Sequence, residues 1–294
     1  MRVTLAEELD LQRRETLARV TTIVLLFGIT YLPVFLTLYG KYVEADSYYS
    51  HGFLIPLLSG FVIWWKRDRL KTMNVVPSRV GLWALGGGLL LYVLGTSWLV
   101  NFASALSMLV VLAGLSLYLF GPAVTRALWF PLTYLLYMIP LPKISIIYIT
   151  FWLKLLVASL AAGFVDAVGI PVFLDGAYLA LPNGVVEIEN ACSGLRSLIA
   201  LTALGAVYAY LAPLSTAGKW ILLVASVPLA LAANLMRVII MVLVSYQYGP
   251  RGRAFEWTDF MTGLLVFAVA LLGLYLVSKV LQAWNGRAPT TILG

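Results

Sequence analysis

Apolar residues fill this chain in runs too long for the core of a soluble domain, and short polar stretches punctuate them. Nearly uncharged runs recur at 20–40, 80–99, 103–121, 198–213, 220–236 and 260–278, and roughly 20 apolar residues suffice for a helix to cross a bilayer. With the shorter runs included, the pattern predicts spans near 20–40, 52–65, 80–99, 103–121, 126–141, 193–213, 219–246 and 257–281. The run at 144–170 is also apolar enough to cross. It would place Lys154 near the bilayer centre, at a cost of roughly 2.5–3.5 kcal/mol or more, so it is expected to lie as an interfacial or re-entrant helix. Gly169–Pro171 ends that helix. Residues 171–190 then alternate loosely as two short extended pieces, with turn signals at Asp175–Gly176 and Pro182–Asn183–Gly184. The expected fold is an all-α polytopic membrane protein: about eight transmembrane helices, one interfacial or re-entrant helix, and a short external β-hairpin leading to Cys192.

Charge gives these spans a direction. Lys66, Arg67, Arg69, Lys71 and Arg79 crowd one short loop, which the positive-inside rule assigns to the cytoplasm. An even number of spans then returns both termini to that side. Residues 1–19 are expected as a cytoplasmic N-terminal segment, 20–281 as the membrane domain and 282–294 as a cytoplasmic tail. The first 19 residues mix Arg2, Arg13, Arg14 and Arg19 with Glu7, Glu8, Asp10 and Glu15. That is a longer and more acidic prelude than a secretory signal carries, so the run at 20–40 reads as a retained span.

Composition narrows the chemistry. Of 294 residues, 62% are hydrophobic and 11% charged, so membrane lipid is the expected solvent of the chain. The net charge of +7 comes from basic residues beside apolar runs, which argues against a nucleic-acid partner. Cys192 is the only cysteine and His51 the only histidine. No internal disulfide, multi-thiolate site or His-based metal site can be built from them, and no cofactor is expected.

The densest polar cluster in an apolar neighbourhood is Glu187-Ile-Glu-Asn-Ala-Cys-Ser-Gly-Leu-Arg-Ser197. A helix starting near Asn190 would use that residue as its N-cap and place Cys192 in the first turn, where the thiolate is favoured, with Arg196 on the same face. A lone cysteine in a membrane helix is ordinarily a small apolar filler; here Glu189, Asn190, Ser193 and Arg196 make an activated thiol the sharper reading. Arg237 interrupts the apolar run 231–240. Counted from Trp220 it stands about 25 Å along its helix, near the outer boundary and level with Cys192. It could snorkel, or it could lower a thiol pKa, hold a carboxylate or stabilise an oxyanion. Asn234 lies one turn earlier on the same face. A cysteine nucleophile also needs a proton-handling partner. His51, at the outer mouth of the second span, and Asp259, where the last span begins, are the candidates, and both also suit structural roles as interface anchor or helix-terminal charge.

Together these stretches resemble the exosortase/archaeosortase family. The resemblance rests on Tyr-Ser-His-Gly-Phe-Leu-Ile-Pro at 49–56, Met-Ile-Pro-Leu-Pro at 138–142, Ala-Cys-Ser-Gly-Leu-Arg-Ser at 191–197 and Asn-Leu-Met-Arg at 234–237. It implies a multi-pass enzyme of the bacterial inner membrane with its site at the periplasmic face. Such enzymes recognise exported proteins ending in a short motif of the PEP-CTERM type, a transmembrane segment and a basic tail, and accompany exopolysaccharide machinery. They cleave near the motif and pass the acyl group to an acceptor whose identity is open. By this resemblance Cys192 forms the acyl-thioester and Arg237 is the essential arginine. The chain departs from the pattern at a third position, where the family usually carries histidine and this sequence has Asp259. An aspartate there could act as base or orient Arg237, or mark an inactive relative. A polytopic transporter and a non-catalytic export or assembly subunit are the alternative readings; against the transporter, the charges converge at one outer level and no paired half-helices repeat.

Overall fold

In lipid, helices gain little from burying apolar side chains against each other, so close backbone approach at small residues holds them together. The described residues show this twice. They are 5–44, 47–188, 193–249 and 253–284 of a computed structural model, and they divide into two compact units: residues 1–43 with 61–139, and residues 44–60 with 140–294.

The first unit contains α1 (Leu5–Val43), α4 (Val80–Ser97) and α5 (Asn101–Ala127). Gly81, Gly88 and Gly95 recur every seven residues along α4 and meet α5 backbone or side chains at Tyr118, Val111 and Ser104, so the two helices run antiparallel. A Cβ on Gly81 would stand 2.4 Å from the Tyr118 nitrogen. Tyr31 of α1 is fully buried, with its ring 5.0 Å from Tyr92 and its hydroxyl 3.2 Å from Ser107 Oγ. Tyr42 donates to the Met138 carbonyl at 2.7 Å.

The span expected at 126–141 is not a continuous helix. Gly121 breaks the helical path (φ 82°, ψ 179°) before Pro122, and beyond Ala127 come only the six-residue α6 (Trp129–Tyr134) and a 3-10 turn at Leu135–Met138. Prolines at 131 and 140 remove the donors that a longer helix would need.

α2 (Leu54–Trp65), preceded by a 3-10 turn at Ser50–Phe53, and α3 (Arg67–Thr72) join the predicted second span to the basic loop. Among the described residues, six helices are long and apolar enough to cross a membrane: Leu17–Val43, Val80–Ser97, Asn101–Ala127, Lys143–Ala167, Thr216–Tyr248 and Met261–Trp284. The chain is thus a helical polytopic membrane protein, with Ser50–Trp65 and Leu195–Leu211 as shorter apolar helices. The segment expected at the interface is α7 (Lys143–Ala167), a regular helix of 25 residues and of full spanning length. α1 starts at Leu5 and continues through the first predicted span without a break.

In the second unit α7 closes as the sequence suggests. Gly169 takes φ 88°, Ile170 N–H bonds back to the Val165 carbonyl, and Pro171 follows; this is a glycine-terminated Schellman closure. The expected two-piece hairpin is instead a three-stranded antiparallel meander, β1 (Phe173–Asp175), β2 (Tyr178–Leu181) and β3 (Gly184–Glu187), in the order β1-β2-β3. Both turn signals act, each closing its own two-residue connection, so two turns make three strands. Period-2 alternation turns Leu179, Leu181, Val186 and Ile188 inward, onto Val157, Ala161 and Val165 of α7 and onto Val238 and Val242 of α9 (Thr216–Tyr248). α8 (Leu195–Leu211), α9 and α10 (Arg253–Trp284) form a second packed group around Leu201, Ala230, Ala233, Val266 and Ala270.

Candidate active site

α8 begins at Leu195, four residues later than an Asn190 N-cap implies, because Gly194 stands before it in the left-handed region (φ 87°, ψ −6°). Helical geometry cannot pass through that conformation, so the first turn of α8 is made from Leu195 onward; the expected pairing of Cys192 with Arg196 involves a residue outside the described ones. Ser193 is fully buried and its hydroxyl accepts the Leu195 N–H at 3.4 Å. Glu189, Asn190 and Cys192 themselves lie outside the described residues.

Gly194 has a second constraint besides its φ. A Cβ there would stand 2.8 Å from Asn234 Nδ2 and 3.0 Å from its Cγ, so the backbone rests directly on the Asn234 side chain, which is fully buried. Eleven residues along α8, Gly205 makes the same kind of approach to Ser226 of α9. These two contacts fix α8 antiparallel to α9 and bring the start of α8 to the level of Asn234. Arg237, half-buried, is the next residue on that face of α9. Arg196 opens α8 from the same level, half-buried, and its Nε finds no hydrogen-bond partner among the described residues.

The other end of the cysteine segment is also fastened to α9. Ile188 is 2% exposed and belongs to the cluster that includes Val238 and Val242. The described residues flanking 189–192 thus include Ile188, in the buried cluster with Val238 and Val242, and Gly194, seated on Asn234. Arg237 lies between those attachment points. A β-turn at Pro182–Asn183 adds a further tie, with Asn183 donating to the carbonyl of Tyr246 on α9. Sequence reading missed this bracket. The signal for half of it was the glycine after Cys-Ser, the one residue type that tolerates both a positive φ and an amide at van der Waals distance.

His51 lies in the 3-10 turn that opens α2. Its ring stacks on Tyr49 at 6.0 Å. Tyr49 is buried and its hydroxyl accepts the Leu141 N–H at 3.0 Å. The motifs at 49–56 and 138–142 are thereby joined by one hydrogen bond. Nε2 of His51 is buried without a hydrogen-bond partner among the described residues, and burial pushes the imidazole below its usual pKa, which favours the neutral ring at pH 7. Among the described residues it makes no hydrogen bond or ion pair with Arg196, Asn234 or Arg237.

Position 259 falls in the second turn of α10; its side chain lies outside what is described. The α9–α10 register, with Leu229 against Gly273, sets Arg237 level with about residue 265. Position 259 is then about 9 Å further along the axis. The buried Thr262, whose hydroxyl donates to the Thr258 carbonyl at 2.7 Å, is the nearer polar residue on that stripe. Among the described residues, no three His, Cys, Asp or Glu side chains cluster so as to hold a metal ion.

The surroundings of Arg237 can accommodate acyl transfer: a cation and a buried amide on one helix face, with the cysteine segment attached on either side. Comparison with known proteins agrees with the motifs. No curated protein and no solved structure matches the chain, whereas the family described as Transmembrane exosortase (Exosortase_EpsH) matches residues 43–276. That stretch takes in the His51 turn, the meander, the cysteine segment and the Asn234–Arg237 face, and on this ground the chain belongs to the transmembrane exosortase family.

Proposed function

We infer that the protein is a membrane-embedded cysteine peptidase or transpeptidase that cleaves the C-terminal sorting signal of exported proteins at the outer face of the bacterial inner membrane. The observation that carries this lies around Arg237: Gly194, two residues past Cys192, rests on Asn234, and Ile188 shares a buried cluster with Val238 and Val242 of α9. Cys192 stands two residues before Gly194 in the sequence, and in this reading its thiol works at the Asn234–Arg237 face.

In this reading the Cys192 thiolate attacks the carbonyl carbon of the scissile peptide bond. A C–S bond forms, the oxygen takes the negative charge beside the Arg237 guanidinium, and the C–N bond then breaks as the leaving amine accepts a proton. An acceptor nucleophile, or water, then attacks the thioester and frees the thiol. Asn234 positions the guanidinium or donates to the same oxyanion. Asp259, at the position where the family carries histidine, orients Arg237 or moves the proton; His51, neutral at pH 7, is the second proton-handling group.

Arginine is required because its planar fork offers several donors at fixed angles, which one ammonium cannot reproduce. Cys192→Ala is expected to abolish processing of a tagged exported protein in cells lacking the wild-type gene. Arg237→Lys is expected to cut the rate about 100- to 1,000-fold, the range for one lost oxyanion donor. Normal processing by either variant, inserted at wild-type levels, refutes the role given to that residue.

A further inference from the structure

The meander of the second unit ends on an open edge, on the strand that continues toward Cys192. Across the β2–β3 ladder Leu181 pairs with Gly184 over a two-residue turn and Leu179 pairs with Val186, and Ile188 donates its N–H to the Ala177 carbonyl. In antiparallel pairing bonded and non-bonded positions alternate. Gly184, Val186 and Ile188 thus aim their backbone groups at β2, and Val185 and Glu187 aim theirs away from it. β3 is the last strand of the sheet, and among the described residues no backbone group outside the sheet bonds to Val185 or Glu187. Both side chains are exposed, Val185 at 56%.

Open N–H and C=O groups are costly in hydrocarbon but not in water, and they are a ready template for a further strand. We propose that an extended segment of the exported substrate docks here, pairing with Val185 and Glu187 as a fourth strand; this rests on the peptidase reading above. A scissile amide must be presented in extended form to a nucleophile. β3 leads in sequence through the buried Ile188 to Cys192, five residues past Glu187, so a segment paired on this edge is held close along the chain to the proposed nucleophile. The exposed β-branched Val185 supplies a side-chain contact on the same strip. Glu187, whose carboxylate accepts from Tyr178 Oη at 3.2 Å, puts a charge on the edge, a device that discourages pairing between two copies of the chain.

The test uses the full-length protein in detergent with a tagged exported protein carrying the motif, transmembrane segment and basic tail. Val185→Pro and Glu187→Pro each delete one outward N–H without touching the bonds to β2. Each is expected to raise KM about 3- to 10-fold with kcat nearly unchanged. Independently of any fold damage by proline, hydrogen exchange in Cys192→Ala should show the Val185 and Glu187 amides fast alone and slowed by substrate. Wild-type KM in both proline variants, amides that stay fast with substrate bound, or protection by self-association without substrate overturns the docking edge. If Cys192→Ala itself processes substrate, the peptidase reading fails instead.

Discussion

Each unit closes a helix pair on glycine, and the partner of the glycine differs. On α4, Gly81, Gly88 and Gly95 meet backbone, a valine and a serine of the neighbouring helix, in a regular heptad stripe whose purpose is close approach. On the α8–α9 pair, Gly194 meets the side-chain amide of a fully buried asparagine, one turn from an arginine. Packing alone would never select that arrangement. A buried amide and guanidinium in an apolar helix are expensive, and a left-handed residue adds a conformational restriction. The first pair shows what a membrane fold needs for cohesion, and the second carries polar groups that cohesion does not require, which the proposed peptidase reading assigns to chemistry.

The largest effect separating the two is expected at Gly194. Gly194→Ala must fit a Cβ 2.8 Å from Asn234 Nδ2 at φ 87°, which displaces the amide beside Arg237. Processing should fall at least about 100-fold, comparable to losing an oxyanion donor, with insertion largely retained. Initial rates of substrate cleavage measure it, and a rate within 3-fold of wild type would remove Asn234 from the site.

Gly81→Ala is the matched change in the other unit. Its Cβ would lie 2.4 Å from a backbone nitrogen, so overpacking should cost about 2–3 kcal/mol of stability, read by thermal unfolding in detergent. Cleavage per folded molecule should be unchanged. A loss of kcat without a loss of stability would show that this stripe also serves the chemistry.

The smallest effect concerns His51. Burial lowers its pKa in the folded protein, whereas the unfolded imidazole titrates near 6.5. Between those two values the unfolded chain binds the proton and the folded one does not. Stability should therefore be full above about pH 6.5, decline as pH falls toward the lowered folded value, and level off beneath it. His51→Gln should flatten that part of the stability profile between about pH 7.5 and 5.5 and slow cleavage only a few-fold; an inactive His51→Gln beside an active Asp259→Ala would make His51 the working base.

How much of this was legible beforehand varies by element. The long helices were, since uncharged runs of spanning length leave few alternatives. The break at 121–122 and the short α6 were harder, because apolar composition at 126–141 hides the effect of prolines at 122, 131 and 140. At α7 the cost of Lys154 argued for an interfacial or re-entrant helix, and the segment forms a regular helix of 25 residues, long enough to span. The meander was half visible, as two turn signals whose count implies three strands.

By itself the sequence determined that this chain is a multi-pass helical membrane protein and, through four short motifs, the family; it also narrowed the candidate thiol to Cys192. Those follow from composition and local order: lipid selects apolar helices, and one cysteine leaves one thiol. Only the tertiary structure decided where α8 starts, that Gly194 rests on Asn234, that Ile188 and Gly194 bracket Arg237 from both sides, and that β3 leaves an edge open. The physical reason is that these are contacts between segments tens of residues apart, set by close packing and ladder register, and no local pattern encodes which glycine will find which side chain.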